Sequence, residues 1–146
     1  MRPNIPSTLG GVSLPPTLQV PPNCDLTLGM VCADKSEPGR TVWRVQAHER
    51  FANPAGVIQG GFVAACCDSA MGASAVTFAR GRPVRVTNVE MKVSFLRPVQ
   101  VGARLTCEAE VVSGGARVAF AEATLRGEDG VALARATSTY LISDRA

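Results

Sequence analysis

Residues 60–80 read GGFVAACCDSAMGASAVTFAR, and this stretch decides the fold. Its small and apolar side chains predict one long helix. Asp68 is the only charged residue before Arg80, so the helix is apolar on nearly every side, and we expect it to be buried on nearly every side. Gly81 and Pro83 follow it, as is typical of a helix end. The rest of the fold must therefore wrap around this helix.

Four predicted strands follow the helix, over residues 84–96, 104–113, 117–126 and 132–142. The connections between them are short. Gly114-Gly115 and Asp129-Gly130 are two-residue turn sequences that are typical of β-hairpins. We therefore expect these four strands to form an antiparallel meander, in which each strand lies beside the next.

Two more strands are predicted before the helix, over residues 29–33 and 41–48, around a turn at residues 36–39. Residues 1–24 are rich in proline and predict an extended N-terminal arm, so that the folded domain covers residues 25–146. One helix among five or six antiparallel strands gives an α+β domain. A sheet of this kind that curls around a single buried helix is the hotdog fold.

The composition indicates one globular domain in the cytoplasm. The chain has 146 residues, of which 46% are hydrophobic and 18% are charged, which is enough for one core. A net charge of +3 without a long basic run gives no indication of nucleic acid binding. We expect neither a secretory signal nor a membrane span. The five cysteines are unpatterned, and we expect free, buried thiols in a reducing compartment.

Asp68 is the first candidate for catalysis, because it is a carboxylate in the middle of an apolar helix. Burying a carboxylate without partners costs several kcal/mol. Such a residue is therefore a candidate catalytic group. It could equally face a polar subunit interface or form a buried salt bridge.

The glycine pair at the start of the helix is the second candidate. The backbone N–H groups of Gly60 and Gly61 and the helix dipole could stabilise a developing oxyanion, or the pair could serve close packing. Asp68 lies seven residues beyond Gly61, ~10 Å along the axis. A reacting carbonyl should lie within ~3 Å of both groups. If both are catalytic, they must come from two chains of a dimer whose helices lie side by side.

Other chemistries have less support. His48 would need a nucleophile, and no Gly-x-Ser-x-Gly sequence is present. One histidine and no spaced cysteine or carboxylate cluster leave too few ligands for a metal ion, and no cofactor is expected. Arg82 and Arg97 could hold the phosphates of a nucleotide-like ligand, or could be solvated cations at a helix end and a strand end.

The segment 53–61, NPAGVIQGG, followed by DSAMG at residues 68–72, resembles the hotdog thioesterases of the phenylacetate-pathway (PaaI-like) type. Their pattern is an Asn, a Gly three residues on, then His-Gly-Gly, then an acidic residue seven positions after the second Gly. The run VEMKVSFLRP at residues 89–98 is similar to a strand of that family. The resemblance covers residues 45–142 and leaves the N-terminal arm outside.

This resemblance implies an acyl-CoA thioesterase, which hydrolyses an acyl-CoA or aroyl-CoA to a free acid and coenzyme A. Coenzyme A is then part of the substrate, and no metal is needed. The family implies homodimers, often paired into tetramers, with the active site at the dimer interface. By position, Asp68 is implied as nucleophile or general base, and Gly60, with Gly61, as donor to the thioester carbonyl.

Further positions carry implied binding roles. Asn53 matches a side chain that helps to place the carbonyl or the water, and Thr87 or Asn88 falls near a Ser or Thr that orients the water. Arg97 and Arg82 are the candidate phosphate ligands of the substrate. Gln59 departs from the pattern, since the family usually has His there, and Gln cannot gain a charge near neutral pH.

Two alternatives remain open, and the Gln59 departure supports the first of them. The first is a hotdog protein that binds acyl-CoA without hydrolysing it, as a sensor or carrier. The second is a hotdog dehydratase, which generally pairs a His with the acid. His48 would then have to reach Asp68.

Overall fold

The computed structural model describes residues 20–145, and its elements match the predicted strands and long helix. In chain order they are α1 (Asn23–Leu28), β1 (Val31–Asp34), β2 (Arg40–Gln46), a 3-10 turn (Glu49–Phe51), α2 (Gly60–Phe78), β3 (Val84–Phe95), β4 (Arg104–Gly114), β5 (Val118–Arg126) and β6 (Ala132–Asp144). Every predicted end lies within two residues of the observed one. Helix α1 was not predicted, and the first 19 residues of the predicted arm lie outside the described part.

The six strands form one antiparallel sheet in the order β1-β2-β4-β5-β6-β3, and α2 packs against β2 to β6. The α+β hotdog architecture is therefore confirmed. Strands β4, β5 and β6 are joined in sequence as predicted. The prediction that β3 lies beside β4 is wrong, because β3 pairs with β6 at the far edge of the sheet.

The connection from β3 to β4 explains this placement. It pairs with the loop before α2, where Val57 forms a bridge with Gln100 and the Ile58 N–H donates to the Val99 carbonyl at 2.9 Å. Val99 is buried. A connection held against another loop in this way cannot close a tight hairpin, so the chain crosses to β4 on the other side of the sheet.

A row of small side chains forms the floor beneath α2. Ala109, Ala123 and Ala136 lie side by side across β4, β5 and β6, and each is at most 3% exposed. Because this alanine row leaves room for a close approach, the Ser74 hydroxyl of α2 donates to the Ala109 carbonyl at 3.1 Å. The row therefore sets the distance between the helix and the sheet.

Helix α2 is buried on one side only, so the expectation of burial on nearly every side is wrong for the single chain. Seven of its 19 residues are buried, whereas Phe62 and Val76 are 38% and 44% exposed. By length and composition alone α2 could also span a membrane, but it packs on five strands as a core helix does. A single sheet covers one side of a helix, and the other side stays an open apolar surface.

All five cysteines are free. Cys66, Cys67 and Cys107 are buried between α2 and β4, as expected, whereas Cys24 is exposed and Cys32 is half-buried. The expectation of buried thiols therefore holds for three positions and is wrong for Cys24. Cys24 is exposed because α1 carries it on the outside of the domain.

Candidate active site

Asp68 lies in the third turn of α2, and its carboxylate is held by the sheet. The Tyr140 hydroxyl donates to Asp68 Oδ1 at 2.6 Å, and Asn88 Nδ2 donates to the same oxygen at 2.8 Å. Tyr140 and Asn88 are direct neighbours on β6 and β3. Within residues 20–145, no donor lies at hydrogen-bond distance from Oδ2. The carboxylate is thus fixed through one oxygen and open at the other.

A β-bulge aims Asn88 at this carboxylate. Between Asn88 and Glu90 the register of β3 against β6 shifts, so that Val89 is an extra residue. Bulges redirect side chains and are frequent beside active sites. The hydroxyl of Ser138 lies 2.8 Å from Asn88 Oδ1, which leaves the amide nitrogen of Asn88 to face Asp68.

Tyr140 was not predicted as a site residue. It is 2% exposed, and its hydroxyl also lies 3.0 Å from the Asp68 carbonyl. Burial, and then the hydrogen bond to Asp68, raise the pKa of the Tyr140 hydroxyl. Tyr140 is the only tyrosine of the chain, and the strand alternation places it inward. Its inward position could have marked Tyr140 as a candidate, but the sequence did not show that β6 lies next to β3.

The start of α2 presents free backbone donors. Within residues 20–145, the N–H groups of Gly60 and Gly61 have no acceptor, and the Gln59 side chain does not cap the helix. A Cβ on Gly60 would lie 3.1 Å from the ring of Phe95, whereas one on Gly61 would meet nothing within 4 Å. Only Gly60 is therefore required by close packing, and both N–H groups can bind an anionic oxygen.

Asn53 and Gln59 belong to the loop before α2. Asn53 Oδ1 accepts hydrogen bonds from the N–H groups of Ala55 at 2.9 Å and Val57 at 3.4 Å. Its Oδ1 therefore shapes the loop, and only its Nδ2 is left to contact a ligand. The Gln59 N–H donates to the Phe51 carbonyl at 2.8 Å, and the Gln59 side chain is exposed.

A groove of about 350 Å³ adjoins the start of α2. It is mainly apolar, and its lining includes Gly60, Val63, Phe95, Leu96, Arg97 and Leu133. Arg97 is the only charged residue of the lining. The groove therefore suits an apolar chain that ends in, or passes, an anionic group.

The structure separates the predicted residues into two places within one chain. Asn88 joins Asp68, whereas Gly60 starts the same unbroken helix ~12 Å away along its axis. Thr87 is exposed on the other face of β3 and does not join Asp68. Arg82 pairs with Asp144 at 3.0 Å beyond the opposite end of α2, so it lies far from the groove of its own chain.

Two other chemistries find no support in the geometry. Among residues 20–145, no group of three or more His, Cys, Asp or Glu residues could hold a metal ion. His48 Nδ1 accepts a hydrogen bond from the Arg50 N–H at 3.1 Å and caps the 3-10 turn. His48 does not contact Asp68, so the dehydratase pairing is absent from the described part of the chain.

The comparisons with known proteins agree with this geometry. A family model described as the thioesterase superfamily matches residues 55–134. Acyl-coenzyme A thioesterase 13 from Homo sapiens is 24% identical over 103 residues, which cover 70% of this chain and 72% of the relative. The medium/long-chain acyl-CoA thioesterase YigI from Salmonella typhimurium is 30% identical over 98 residues, covering 59% of this chain and 63% of the relative.

A solved structure has the same fold. A mutant of the phenylacetic acid degradation protein PaaI from Thermus thermophilus superposes with a TM-score of 0.72 and 26% sequence identity. The superposition covers 80% of this chain and 96% of that one.

Proposed function

Since this chain belongs to the thioesterase superfamily and is of its PaaI-like type, we propose that it hydrolyses an acyl-CoA or aroyl-CoA to a free acid and coenzyme A. One observation carries the proposal. Within residues 20–145, the helix that bears Asp68 leaves Oδ2 without a donor and begins with N–H groups that have no acceptor, beside an apolar groove. A carboxylate that attacks or activates water, donors for the developing oxyanion and an apolar groove together suit thioester hydrolysis. Two relatives are acyl-CoA thioesterases, which supports acyl-CoA as the substrate class.

The reaction requires two chains. Asp68 and Gly60 of one chain are too far apart to act on one carbonyl, and a partner chain with an antiparallel α2 removes this difficulty. Within residues 20–145, one side of α2 is apolar and open and the outer edge of β3 is unpaired, which supports such a homodimer. Pairs of dimers as tetramers, and a cytoplasmic location, are part of the same proposal.

The chemical steps follow from a site in which Gly60 comes from one chain and Asp68 from its partner. The Gly60 N–H, with Gly61 beside it, binds the thioester oxygen while negative charge develops on it. Asp68 of the partner chain attacks the carbonyl carbon, or removes a proton from the water that does. The C–S bond then breaks, and coenzyme A leaves as the thiolate and takes up a proton. Where Asp68 has attacked directly, water then hydrolyses the anhydride between the acyl group and Asp68. On either route one water is consumed, the acid is released and the Asp68 carboxylate is regenerated. In this proposal Asn53 Nδ2 helps to bind the carbonyl or the water.

The lining of the groove supports the following binding roles. Its apolar walls would hold the pantetheine or acyl portion, and Arg97 at its rim would contact a phosphate of coenzyme A. Arg82 can contribute only if a partner chain brings the far end of α2 to the substrate. Gln59 projects from the same loop toward solvent and could contact the bound substrate.

The first experiment measures free thiol released from a panel of short, medium, long and aromatic acyl-CoA esters. We expect release with at least one member, and loss of that release in Asp68→Asn. Acyl-CoA binding without thiol release would contradict the proposal and favour the non-catalytic binding protein.

The second experiment tests the Gly60 N–H as the donor to the thioester oxygen. Gly60→Pro removes the N–H at the first helical position, where proline is tolerated, and Gln59 with φ −59° and ψ 133° already suits a residue before proline. We expect a loss of turnover of about 100-fold or more. Two controls separate the loss of the N–H from the added Cβ. Gly60→Ala adds a similar Cβ but keeps the N–H, and Gly61→Ala adds a Cβ in open space.

Co-expression then decides whether the two groups come from different chains. Asp68→Asn and Gly60→Pro should each be nearly inactive alone. Random assembly of the two variants gives mixed dimers in which one of two sites is intact, so about a quarter of wild-type turnover should return. No recovery in mixed dimers that have been shown to form would contradict the shared site.

A further inference from the structure

The two donors to Asp68 come from the sheet and not from the helix that carries it. Tyr140 lies on β6 and Asn88 on β3, and both hydrogen bonds end on Oδ1. Hydrogen bonds to a charged group are short and strong. A carboxylate held at one oxygen by two donors can rotate little, so its other oxygen points in a fixed direction.

Each donor is itself fixed. Asn88 is aimed by the bulge at Val89 and by the Ser138 hydroxyl at 2.8 Å. The Tyr140 ring packs near Gly72, one turn after Asp68, where an added Cβ would lie 3.7 Å from ring atom Cε1. Since burial and Asp68 raise the pKa of the Tyr140 hydroxyl, it remains a proton donor at physiological pH.

We propose that Tyr140 is a positioning residue for the thioesterase reaction, which with Asn88 locks Asp68 Oδ1 and leaves Oδ2 as the reacting oxygen. This inference rests on the proposed function. It assigns a role to a side chain outside the motif that carries the resemblance, and it explains why a buried hydroxyl lies 2.6 Å from the carboxylate.

Tyr140→Phe removes only the hydroxyl and keeps the ring near Gly72. We expect kcat to fall about 10- to 100-fold, because a hydrogen bond to a charged group is lost, while KM changes less than about 3-fold. Thr139→Val is the matched control. It removes a neighbouring hydroxyl that contacts Glu90 Oε1 on the other face of β6, and its kcat should stay close to that of the wild type.

A spectroscopic measurement tests the contact without any activity. Because Tyr140 is the only tyrosine, the absorbance of tyrosinate during an alkaline titration reports this residue alone. The titratable groups around its hydroxyl are Asp68 and Cys67 of α2, whereas β3 contributes the uncharged Asn88. Removing the negative charge in Asp68→Asn should shift tyrosinate formation to lower pH, with Cys67 present in both proteins.

The outcomes separate the two proposals. Wild-type protein that hydrolyses no acyl-CoA would contradict the proposed function, and the titration would still decide whether Asp68 and Tyr140 are coupled. Wild-type turnover with an unchanged kcat in Tyr140→Phe would overturn the positioning role alone. The same holds if tyrosinate forms at the same pH in wild type and Asp68→Asn while the fluorescence of Trp43 shows that both proteins are still folded. If Tyr140→Phe fails to fold, this titration remains the decisive test.

Discussion

Helix α2 carries two polar clusters that differ in how they are completed. The serine cluster consists of Ser74, Thr41 and Trp43, and the aspartate cluster consists of Asp68, Asn88, Ser138 and Tyr140. In the serine cluster, Thr41 Oγ1 lies 2.9 Å from Ser74 Oγ and accepts a hydrogen bond from Trp43 Nε1 at 3.0 Å. Thr41 and Ser74 are 0% exposed, and the cluster carries no charge.

The hydrogen bonds of the two clusters serve different purposes. The serine cluster closes on itself and on the backbone carbonyls of Ala70 and Ala109, so no polar atom is left for a ligand. The aspartate cluster holds a charge and leaves Asp68 Oδ2 unbound by the described residues. A closed neutral network stabilises a core, whereas an open charged one is suited to chemistry. We therefore expect the serine cluster to govern stability and the aspartate cluster to govern turnover.

The largest expected effect concerns turnover. Asp68→Asn keeps the shape of the side chain and an oxygen for Tyr140, but it removes the reactive carboxylate. We expect turnover to fall by about 100- to 10,000-fold, while the free energy of unfolding changes little. Thiol release and a denaturant titration measure the two quantities. A strongly destabilised but active variant would reverse the assignment of the two clusters.

The next effect concerns stability. Thr41→Val leaves the buried Trp43 Nε1 without an acceptor, which should lower the free energy of unfolding by about 1–3 kcal/mol at nearly unchanged turnover. Trp43 is the only tryptophan, so its fluorescence follows unfolding directly. Ser143→Ala, at an exposed position of β6, is the control and should leave the stability unchanged. Equal stabilities for both variants would contradict the prediction.

The smallest effect concerns how the free energy of unfolding depends on pH through a buried thiol of α2. Burial, and then the neighbouring Cys67, raise the pKa of the Cys66 thiol from 9.0 to about 12. Since the folded value is the higher one, this contribution to stability is complete below pH 9.0 and is lost as the pH rises toward about 12. We expect a loss of about 1 kcal/mol between about pH 8 and pH 10.

Two variants isolate this pH effect. Cys66→Ala should show a smaller loss of stability over the same pH range, because its buried thiol is absent. Cys24→Ala removes an exposed thiol and should follow the wild type. Parallel pH profiles for all three proteins would show that the Cys66 thiol does not contribute.

The elements of this fold could be predicted from local sequence, but the order of the strands could not. Turn residues and apolar runs place each strand end within two residues. The position of β3 beside β6 goes together with the pairing of Val57 with Gln100, which joins two distant loops. Local patterns carry no information about such a contact, and so the meander was predicted wrongly.

The same limit applies to the candidate site. Asp68 stands out because a carboxylate in an apolar helix is expensive, and Gly60 because free N–H groups begin a helix. The catalytic roles of both residues stay predictions, which the thiol-release experiments test. Tyr140 could be placed inward by alternation, but its partner depends on the strand order. Arg82 was a candidate phosphate ligand because it is a cation near the helix end, its side chain pairs with Asp144, and its binding role stays a prediction.

The alanine row limits how this domain can diversify. Ala109, Ala123 and Ala136 already fill the space beneath α2, so any larger side chain would overpack the interior, at about 1–3 kcal/mol per site. Single substitutions in the alanine row, whether evolved or engineered, are therefore disfavoured because they destabilise the domain. We expect new acyl preferences to arise instead from exposed side chains of the groove, such as Phe95, where a smaller residue would leave the alanine row unchanged.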